Sequence, residues 1–538
     1  MIEFATETIH GLFATAAARW PDRPMLNVTP GTGQVYGIAA GEISYADAAL
    51  RVDSLARAFQ RLGFGSGMRI ALLMENRPDF FLYFLALNRL GASVVPINPD
   101  LRAAELTYLI GHAEPAAVLA IPARVADLSA AVAAAHLVCP VASSVGGLVS
   151  PRANAIVAHR NPDPTEREAA VLYTSGTTGQ PKGCVLANSY FLEVARWYAN
   201  LGGIGQLTTK GERMLTPLPI FHMNAMAYSF MAMLAVGGCL TALDRFHPKT
   251  WWADVAASGA TCLHYLGVMP SILMALPETP QDRAHTARFG FGAGVDPNLQ
   301  AAFEARFGFP LVEGWAMTET GAGAVIAANR PDRLIGCACL GRPGPELEVR
   351  IEDSEGQAAA QGELLVRRAG PNPRLGFFTE YYKDPQATAE AWAGGWLHTG
   401  DIVRQDASGN LFFVDRKKNV IRRSGENIAA VEVESILRSH PEVLAAGVAA
   451  VPDALRGDEV FACLRVATPR PGLAEDIASW ALAQMAYYKV PAYIAFVEAL
   501  PLTATQKIQR AELKTLALAL LSDPATVATG HLKRRQVG

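Results

Sequence analysis

The chain has 538 residues, of which 50 % are hydrophobic and 18 % are charged, and its formal net charge is −3. This length exceeds what one hydrophobic core supports, so we expect at least two domains. The large hydrophobic share and the small charged share exclude a mainly disordered protein. No basic excess is present that would bind a phosphate backbone, so no nucleic-acid partner is expected.

The N-terminal segment MIEFATETIHGLF carries acidic residues where a secretory signal would carry basic ones. No apolar run reaches the roughly 18 residues that a membrane helix needs, so no membrane span is expected. Seven cysteines are scattered along the chain, and the one close pair, Cys337 and Cys339, is a weak metal signal. Sparse, unpatterned cysteines are typical of a reducing compartment, so we predict a cytoplasmic protein.

The first third alternates between strand and helix patterns. Apolar runs at Arg69–Glu75 and Ser93–Asn98 predict buried strands, and Pro78–Leu90 carries apolar residues at helical spacing between them. The strand pattern recurs at Ala116–Ile121 and after Gly238. Strand–helix–strand units build parallel sheets with helices on both faces, so we predict an α/β fold with ligands at the carboxyl ends of the strands.

The pattern changes from about Leu340 onwards. Short alternating segments such as EVRIED and GELLVR, separated by Gly, Pro and Asn, predict a β-rich subdomain. Asn410 then opens a tract with strand, turn, strand, loop and helix character. The final hundred or so residues predict a small α+β domain with strands from Val443 and Val460 and a helix over Glu475–Tyr487.

The most specific motif is YTSGTTGQPKG, Tyr173–Gly183, which follows the apolar pair Val171 and Leu172. Its glycines let the backbone curl and present N–H groups, its hydroxyls are further donors, and Lys182 adds positive charge, which together suit a polyphosphate. The motif is not the GxxxxGK[ST] loop, because its lysine follows a proline and precedes a glycine. A flexible surface loop is the alternative interpretation of a Gly/Thr run.

Tyr173–Gly183 resembles the characteristic loop of the adenylate-forming superfamily, which includes acyl-CoA synthetases, peptide-synthetase adenylation domains and luciferases. Further blocks follow in the order of that family, so the resemblance covers almost the whole chain. The tracts DRKKNVIRRSGENIAAVEVE and MAYYKVPAY are similar to short- and medium-chain acyl-CoA ligases, including crotonobetaine/carnitine–CoA ligases.

The resemblance implies an ATP site in which Trp315 stacks on adenine and Thr318 binds the α-phosphate. It implies that Glu319 holds Mg²⁺ and that Asp401 and Arg416 contact the ribose. The nucleotide site implied in this way consists of Thr174, Ser175, Gly176, Thr177, Thr178, Gly179, Gly292, Ala293, Gly294, Glu313, Gly314, Trp315, Thr318, Asp401 and Arg416.

The acyl pocket implied by the resemblance contains Phe221, His222, Gly267 and Ala316. A lone histidine is more often a packed core residue, but the family places a histidine here to orient the acid or gate its pocket. Peptide-synthetase domains carry Asp at this position, so His222 argues against an amino-acid substrate. Ala316 replaces the usual glycine beside the acyl tunnel, which favours a short, medium or compact acid.

The resemblance also implies a mobile C-terminal domain over residues 417–538, which follows an N-terminal domain over residues 1–416. Lys418 is the implied hinge, and the Ser424, Gly425 and Glu426 loop lines the path of coenzyme A after a rotation. Lys507, in PLTATQKIQR, is the implied catalytic lysine. With Lys182, Thr318 and His222 it completes the catalytic set.

The predicted function is therefore activation of a small-molecule carboxylic acid by ATP and Mg²⁺, followed by transfer to coenzyme A. An enzyme that loads a carrier protein is the nearest alternative, and a luciferase-like oxygenase or a non-catalytic ligand sensor is further away. Several other residues, namely Trp251, Trp252, His264 and Tyr265, either reach the pocket or belong to the core. The oligomeric state stays open, and a homodimer is the commonest assembly.

Overall fold

The computed structural model describes residues 6–152, 155, 163–174, 180–353, 355–416, 420–501, 508 and 510–533. In these ranges no helix combines the length and the apolar character needed to cross a membrane.

Helices are distributed along the whole chain. In chain order they are α1 Ile9–Arg19, α2 Pro30–Tyr36, α3 Tyr45–Arg61, α4 Pro78–Arg89, α5 Ala103–Ala113, α6 Val125–Ala134, α7 Asn188–Ala199, α8 Phe230–Val236, α9 Trp251–Ser258, α10 Val268–Met274, α11 Pro297–Phe307, α12 Pro385–Ala391, α13 Ala430–Arg438, α14 Leu473–Gln484 and α15 Arg510–Leu520.

The strands are mostly short. In chain order they are β1 Pro24–Val28, β2 Gly41–Ser44, β3 Arg69–Leu73, β4 Ser93–Pro96, β5 Ala117–Ala120, β6 Val141–Ala142, β7 Glu168–Thr174, β8 Lys182–Ala187, β9 Arg213–Thr216, β10 Cys239–Ala242, β11 Cys262–Leu266, β12 Phe289–Ala293, β13 Leu311–Trp315, β14 Ile326–Ala327, β15 Cys339–Gly341, β16 Leu347–Glu352, β17 Gln361–Arg368, β18 Glu380–Tyr381, β19 Leu397–Gln405, β20 Leu411–Arg416, β21 Val420–Arg423, β22 Glu426–Ala429, β23 Val443–Asp453, β24 Gly457–Val466, β25 Tyr493–Phe496 and β26 Val527–Ala528.

Two large sheets form the N-terminal part of the molecule. One has the strand order β14-β13-β12-β11-β9-β10-β1-β2, and the other has the order β18-β8-β7-β4-β3-β5-β6. In the first sheet the inner strands run parallel and an antiparallel strand closes each edge. In the second sheet β7, β4, β3, β5 and β6 run parallel, and β8 pairs antiparallel with both β7 and β18. The predicted α/β class with mixed and parallel sheets is confirmed.

The two smaller sheets follow in sequence. Strands β15-β20-β19-β17-β16 form an antiparallel sheet, which confirms the predicted β-rich subdomain. Strands β21 to β26 form a separate sheet whose helices include α13, α14 and α15. The buried apolar clusters around this last sheet contain residues from 421 onwards, and the clusters of the larger part contain none of them.

Most predicted elements agree with the structure to within a residue or two. The helix predicted over Glu475–Tyr487 is shifted, since α14 begins at Leu473 and ends at Gln484. Gly472 precedes it with a positive φ of 80°, and Met485 leaves it in an extended conformation. A glycine can adopt that left-handed conformation without the Cβ clash that other residues suffer, so it permits the earlier start.

A buried ion pair holds the strand that leads to the predicted phosphate loop. Arg69 on β3 donates two hydrogen bonds to Glu168 on β7, with N–O distances of 2.7 and 2.6 Å. Ser93 on β4 donates to the same carboxylate at 2.5 Å. Because both charges are almost inaccessible to solvent, losing either partner would leave an uncompensated buried charge. Three strands are thereby fixed in register below the loop.

Candidate active site

A cavity of about 900 Å³ lies where the parallel strands of the first sheet end. The carboxyl ends of β11, β12 and β13 supply part of its wall, as the α/β pattern predicts. Residues at the start of β22, in α13 and after α14 close another side. Of the predicted site residues that the structure describes, the cavity is lined by Thr174, Lys182, Phe221, His222, Gly292, Ala293, Gly314, Trp315, Ala316, Thr318, Glu319, Ser424, Gly425 and Glu426.

The predicted phosphate loop connects the antiparallel strands β7 and β8. Thr174 pairs with Lys182 across this hairpin, so both flank the loop directly. The Lys182 ammonium lies 3.6 Å from the Asp384 carboxylate and 4.8 Å from the centre of the Tyr381 ring. Ser175, Gly176, Thr177, Thr178 and Gly179 are outside the described residues, and their phosphate contacts stay a prediction.

Trp315 and Asp401 are joined directly. The indole Nε1 of Trp315 donates a hydrogen bond of 2.8 Å to Oδ2 of Asp401, and both side chains are buried. An N–H donor and a carboxylate oxygen at this distance fix the plane of the indole ring. Asp401 pairs with Arg416 between β19 and β20, and the structure describes Arg416 through its backbone only.

Glu313 holds a turn of the backbone at the end of β12. Its carboxylate accepts hydrogen bonds from Tyr265 at 2.7 Å and from the backbone N–H groups of Gly294 and Val295 at 2.8 and 3.0 Å. Burial raises its pKa, while these donors act in the opposite direction. Glu313 and Gly294 do not line the cavity in this structure but support the adjacent wall, and their nucleotide contacts stay a prediction.

Glu319 is the described residue that suits a magnesium ion best. Its carboxylate is buried and accepts a hydrogen bond of 2.8 Å from the hydroxyl of Tyr381. Among the residues described, no group of three or more His, Cys, Asp or Glu side chains forms a metal cage. A single carboxylate at a phosphate site fits Mg²⁺, because this ion keeps waters and takes further oxygen ligands from substrate phosphates.

Three of the four residues predicted for the acyl pocket lie on the cavity wall. Phe221, His222 and Ala316 line the cavity, but Gly267 does not. A Cβ atom on Gly267 would lie 1.6 Å from the carbonyl oxygen of Gly294, so this glycine permits two backbone segments to touch behind the wall.

The predicted coenzyme A loop faces the cavity from the C-terminal side. Gly425 has a φ of 89°, and a Cβ atom there would lie 2.1 Å from Cδ1 of Leu266 at the end of β11. Glu426 lies 3.3 Å from Nε2 of His222, which connects the loop to the predicted acyl pocket. Lys418 and Lys507 lie outside the described residues, so the hinge and the catalytic lysine stay predictions.

Lys489 joins the two parts of the molecule beside this loop. Its ammonium lies 2.6 Å from Glu105 on α5 and 2.7 Å from Glu432 on α13. Burial alone would lower the pKa of Lys489, but the two carboxylates outweigh it and raise the pKa. The lysine belongs to the tract MAYYKVPAY, which resembles acyl-CoA ligases, but its two partners are far away along the chain and only the fold brings them together.

The comparisons with known proteins agree with this arrangement. A family model described as AMP-binding enzyme matches residues 13–381, and one described as AMP-binding enzyme C-terminal domain matches residues 432–507.

Similar curated proteins cover nearly the whole chain. A sulfoacetate–CoA ligase of Cupriavidus necator is 32 % identical over 523 residues, which cover 94 % of this chain and 97 % of that protein. A crotonobetaine/carnitine–CoA ligase of Proteus mirabilis is 28 % identical over 501 residues, covering 90 % and 96 %. A solved ternary product complex of a malonyl-CoA ligase with methylmalonyl-CoA and AMP is 28 % identical, with a TM-score of 0.73 and coverage of 89 % and 97 %.

Proposed function

Because this chain belongs to the AMP-binding enzyme family, we propose that it activates a small carboxylic acid with ATP and transfers the acyl group to coenzyme A. The observation that carries the proposal is the single cavity that gathers Lys182, Trp315 and Glu319. Lys182 supplies a positive charge for the phosphates, Trp315 an aromatic face for the adenine base, and Glu319 a carboxylate for Mg²⁺.

The first step joins two anions. A carboxylate oxygen attacks the α-phosphorus of ATP, the bond to the bridging oxygen breaks, and pyrophosphate leaves. The enzyme contributes positioning and positive charge, and no covalent enzyme intermediate is needed. In this proposal Lys182 holds the outer phosphates, Thr318 contacts the α-phosphate, and Lys507 neutralises the charge that develops between the two reactants.

Glu319 would hold the magnesium ion, which supplies positive charge to the phosphates when it is bound. Tyr381 keeps the Glu319 carboxylate oriented through its hydrogen bond. In this proposal Trp315 offers its ring to adenine, Asp401 holds that ring through its hydrogen bond, and the Asp401 carboxylate also contacts the ribose.

The second step exchanges AMP for a thiol. The sulfur of coenzyme A attacks the acyl carbon, the bond to the AMP oxygen breaks, and the thiol proton is released. The Ser424, Gly425 and Glu426 loop lines the cavity, which supports its role in this step. We propose that the C-terminal domain, residues 417–538, rotates about Lys418 between the two steps; the separate apolar clusters support this division.

The acid itself is proposed to be compact. The methyl group of Ala316 makes the predicted acyl pocket narrower than a glycine would, and Phe221 and His222 close another side of this pocket. A cytoplasmic location stays a prediction from the sequence, and the oligomeric state stays open.

The test is a measurement of products with a panel of acids. Purified protein is supplied with ATP, Mg²⁺, coenzyme A and short aliphatic, hydroxy, dicarboxylic, betaine or aromatic acids, and pyrophosphate, AMP and acyl-CoA are quantified. We expect acid-dependent pyrophosphate and an equal amount of acyl-CoA for at least one class. Lys507→Ala should lower pyrophosphate release by about 10²-fold or more, as expected when a charge in the transition state is removed.

Lys514→Ala is the matched control, because Lys514 lies in α15, only seven residues further along the chain. It should keep the wild-type rate. Wild-type protein that consumes no ATP with any acid in the panel would contradict the proposed function.

A further inference from the structure

A buried histidine stands directly behind the acyl pocket. His264, on β11, is completely inaccessible to solvent, and burial lowers its pKa to about 3, so the ring is neutral at ordinary pH. Its two ring nitrogens have different neighbours. Nε2 lies 3.0 Å from the hydroxyl of Tyr198, and Nδ1 lies 2.8 Å from Ser229 Oγ and 2.7 Å from Asn224 Oδ1.

The hydroxyl of Tyr198 determines which nitrogen carries the proton. Burial raises the pKa of Tyr198 well above its usual value, so the phenol keeps its proton and needs an acceptor. Nε2 of His264 stands at hydrogen-bonding distance, so it accepts and the ring proton is on Nδ1. Nδ1–H then donates, and the side-chain oxygen of Asn224 lies 2.7 Å away to accept it.

This proton assignment fixes the orientation of the Asn224 amide. If the amide were turned over, its NH₂ group would face the N–H of His264, and two donors would meet. The oxygen is therefore turned towards His264, and the NH₂ group is the end left for another partner. Asn224 lines the cavity, and no described residue accepts a hydrogen bond from its Nδ2. It opens a π-helical turn, Asn224–Ser229, a kind of turn that is frequent at functional sites.

The surroundings of this amide are apolar. Met223, Asn224, Tyr228 and Phe291 form what we call the Asn224 wall of the cavity. The hydroxyl of Tyr228 already donates to the carbonyl oxygen of Gly321 at 2.8 Å, so Tyr228 contributes its ring, and not a free donor, to this wall. Among the described residues of this wall, the NH₂ group of Asn224 is therefore the hydrogen-bond donor that has no acceptor within the described part of the protein.

In the described part of the cavity wall, the charges do not favour an anionic tail on the acid. Among the described lining residues the lysines are Lys182 and Lys489, and no arginine is present. Lys182 stands beside Asp384, and Lys489 is paired with two carboxylates. A second anion placed against the Asn224 wall would lose its hydration without gaining a cation, whereas an uncharged oxygen needs only the amide donor.

We propose that Asn224 is a specificity-determining residue whose amide donates a hydrogen bond to an uncharged hydroxyl or carbonyl oxygen on the acid, and that His264 is the residue that positions this amide. The substrate class is then a compact hydroxy or oxo acid. This inference rests on the proposed function, since it assigns a role within the same acyl pocket.

The test compares pairs of acids that differ by one group. Each hydroxy or oxo acid, with the oxygen at C2, C3 or C4, is matched with the acid that carries a methyl or methylene group there. We measure kcat/KM for pyrophosphate release. Wild-type enzyme should favour at least one oxygenated acid over its hydrocarbon match by about tenfold or more, because a site built to donate a hydrogen bond rejects an analogue without an acceptor.

Variants separate the roles of the two residues. Asn224→Leu should bring the ratio of the two kcat/KM values in each pair close to one, and Asn224→Asp, which retains the oxygen facing His264, should do the same. Tyr228→Phe is the matched control in the same wall and should keep the ratio. His264→Leu should reduce the ratio, and His264→Asn, whose amide N–H replaces Nδ1–H, should restore much of it; a purely structural role would lower both acids alike.

Equal use of every pair by the wild type, a ratio unchanged in Asn224→Leu, or a preference for dicarboxylic or betaine acids would overturn the inference while leaving the proposed function intact. Absence of acid-dependent pyrophosphate release with all acids would remove both.

Discussion

Gly425 shows at the scale of one residue how the loop and the large domain fit together. Its backbone has a positive φ of 89°, and the space for a side chain is taken by Leu266. The positive φ would strain the backbone of any residue other than glycine. The clash of a side chain with Leu266, by contrast, exists only while the loop faces the cavity. The two effects can be separated by experiment.

Gly425→Val is expected to slow thioester formation from supplied acyl-adenylate by about tenfold, equivalent to roughly 1.4 kcal/mol of clash. Adenylation should keep its rate, because the loop does not act in that step of the proposal. Gly409→Val is the control, since Gly409 has a φ of 82° and no atoms within 4 Å of a Cβ there. Equal loss in both half-reactions would contradict the assignment of the loop.

His264 also makes a prediction for stability. Burial lowers the pKa of His264 from its ordinary 6.5 to about 3 in the folded state, so between these pH values the folded state binds fewer protons than the unfolded state. The contribution of the neutral His264 ring to the free energy of unfolding is complete above pH 6.5 and is lost as the pH falls towards 3. Between pH 7 and pH 5 the difference in unfolding free energy between wild type and His264→Asn should shrink by about 2 kcal/mol. Urea titrations at both pH values measure it, and a constant difference would contradict the buried neutral ring.

At the scale of elements, Lys489 connects α5 of the large part to α13 of the small part. Lys489→Met would leave Glu105 and Glu432 buried next to each other with no cation. Breaking such a buried arrangement costs about 3–5 kcal/mol of unfolding free energy. The loss should be smaller at pH 5 than at pH 8, because burial raises the pKa of Glu432 and protonation removes the repulsion.

Arg470→Met is the control for this prediction. Arg470 also has two carboxylate partners, Glu442 and Asp476, but this group lies on the surface. Surface ion pairs contribute little, so chemical denaturation should detect almost no change. Equal effects of both substitutions would show that the buried position of Lys489 has no special weight.

Elements were the most predictable part of the molecule. β3, α4 and β4 agree closely with the predicted strand–helix–strand unit, because long apolar runs bounded by turns leave little choice. The boundaries of α14 were wrong, because residues at a helix end are decided by one glycine conformation and not by periodicity. Sheet order depends on distant pairings such as Arg69 with Glu168, and no local pattern encodes these.

At the scale of the whole molecule, the motifs predicted which residues lie close together, but not which of them line the cavity and which support its wall. Trp315, Glu319 and Lys182 share one cavity as expected, whereas Glu313 and Gly267 shape its wall from behind. That difference arises from the direction of each side chain, which the fold decides. The Asn224 and His264 pair shows the same limit, since His264 alone gave no means to choose between pocket and core.

The central claim is that a carboxylate oxygen becomes bonded to the α-phosphorus of ATP in one cavity and leaves with AMP. The most direct measurement uses an acid of the preferred class labelled with ¹⁸O in its carboxylate, together with ATP, Mg²⁺ and coenzyme A. The products are then analysed by mass spectrometry. The account predicts one ¹⁸O atom in each AMP formed and unlabelled pyrophosphate. Label in inorganic phosphate or pyrophosphate, or unlabelled AMP accompanying acyl-CoA, would contradict it.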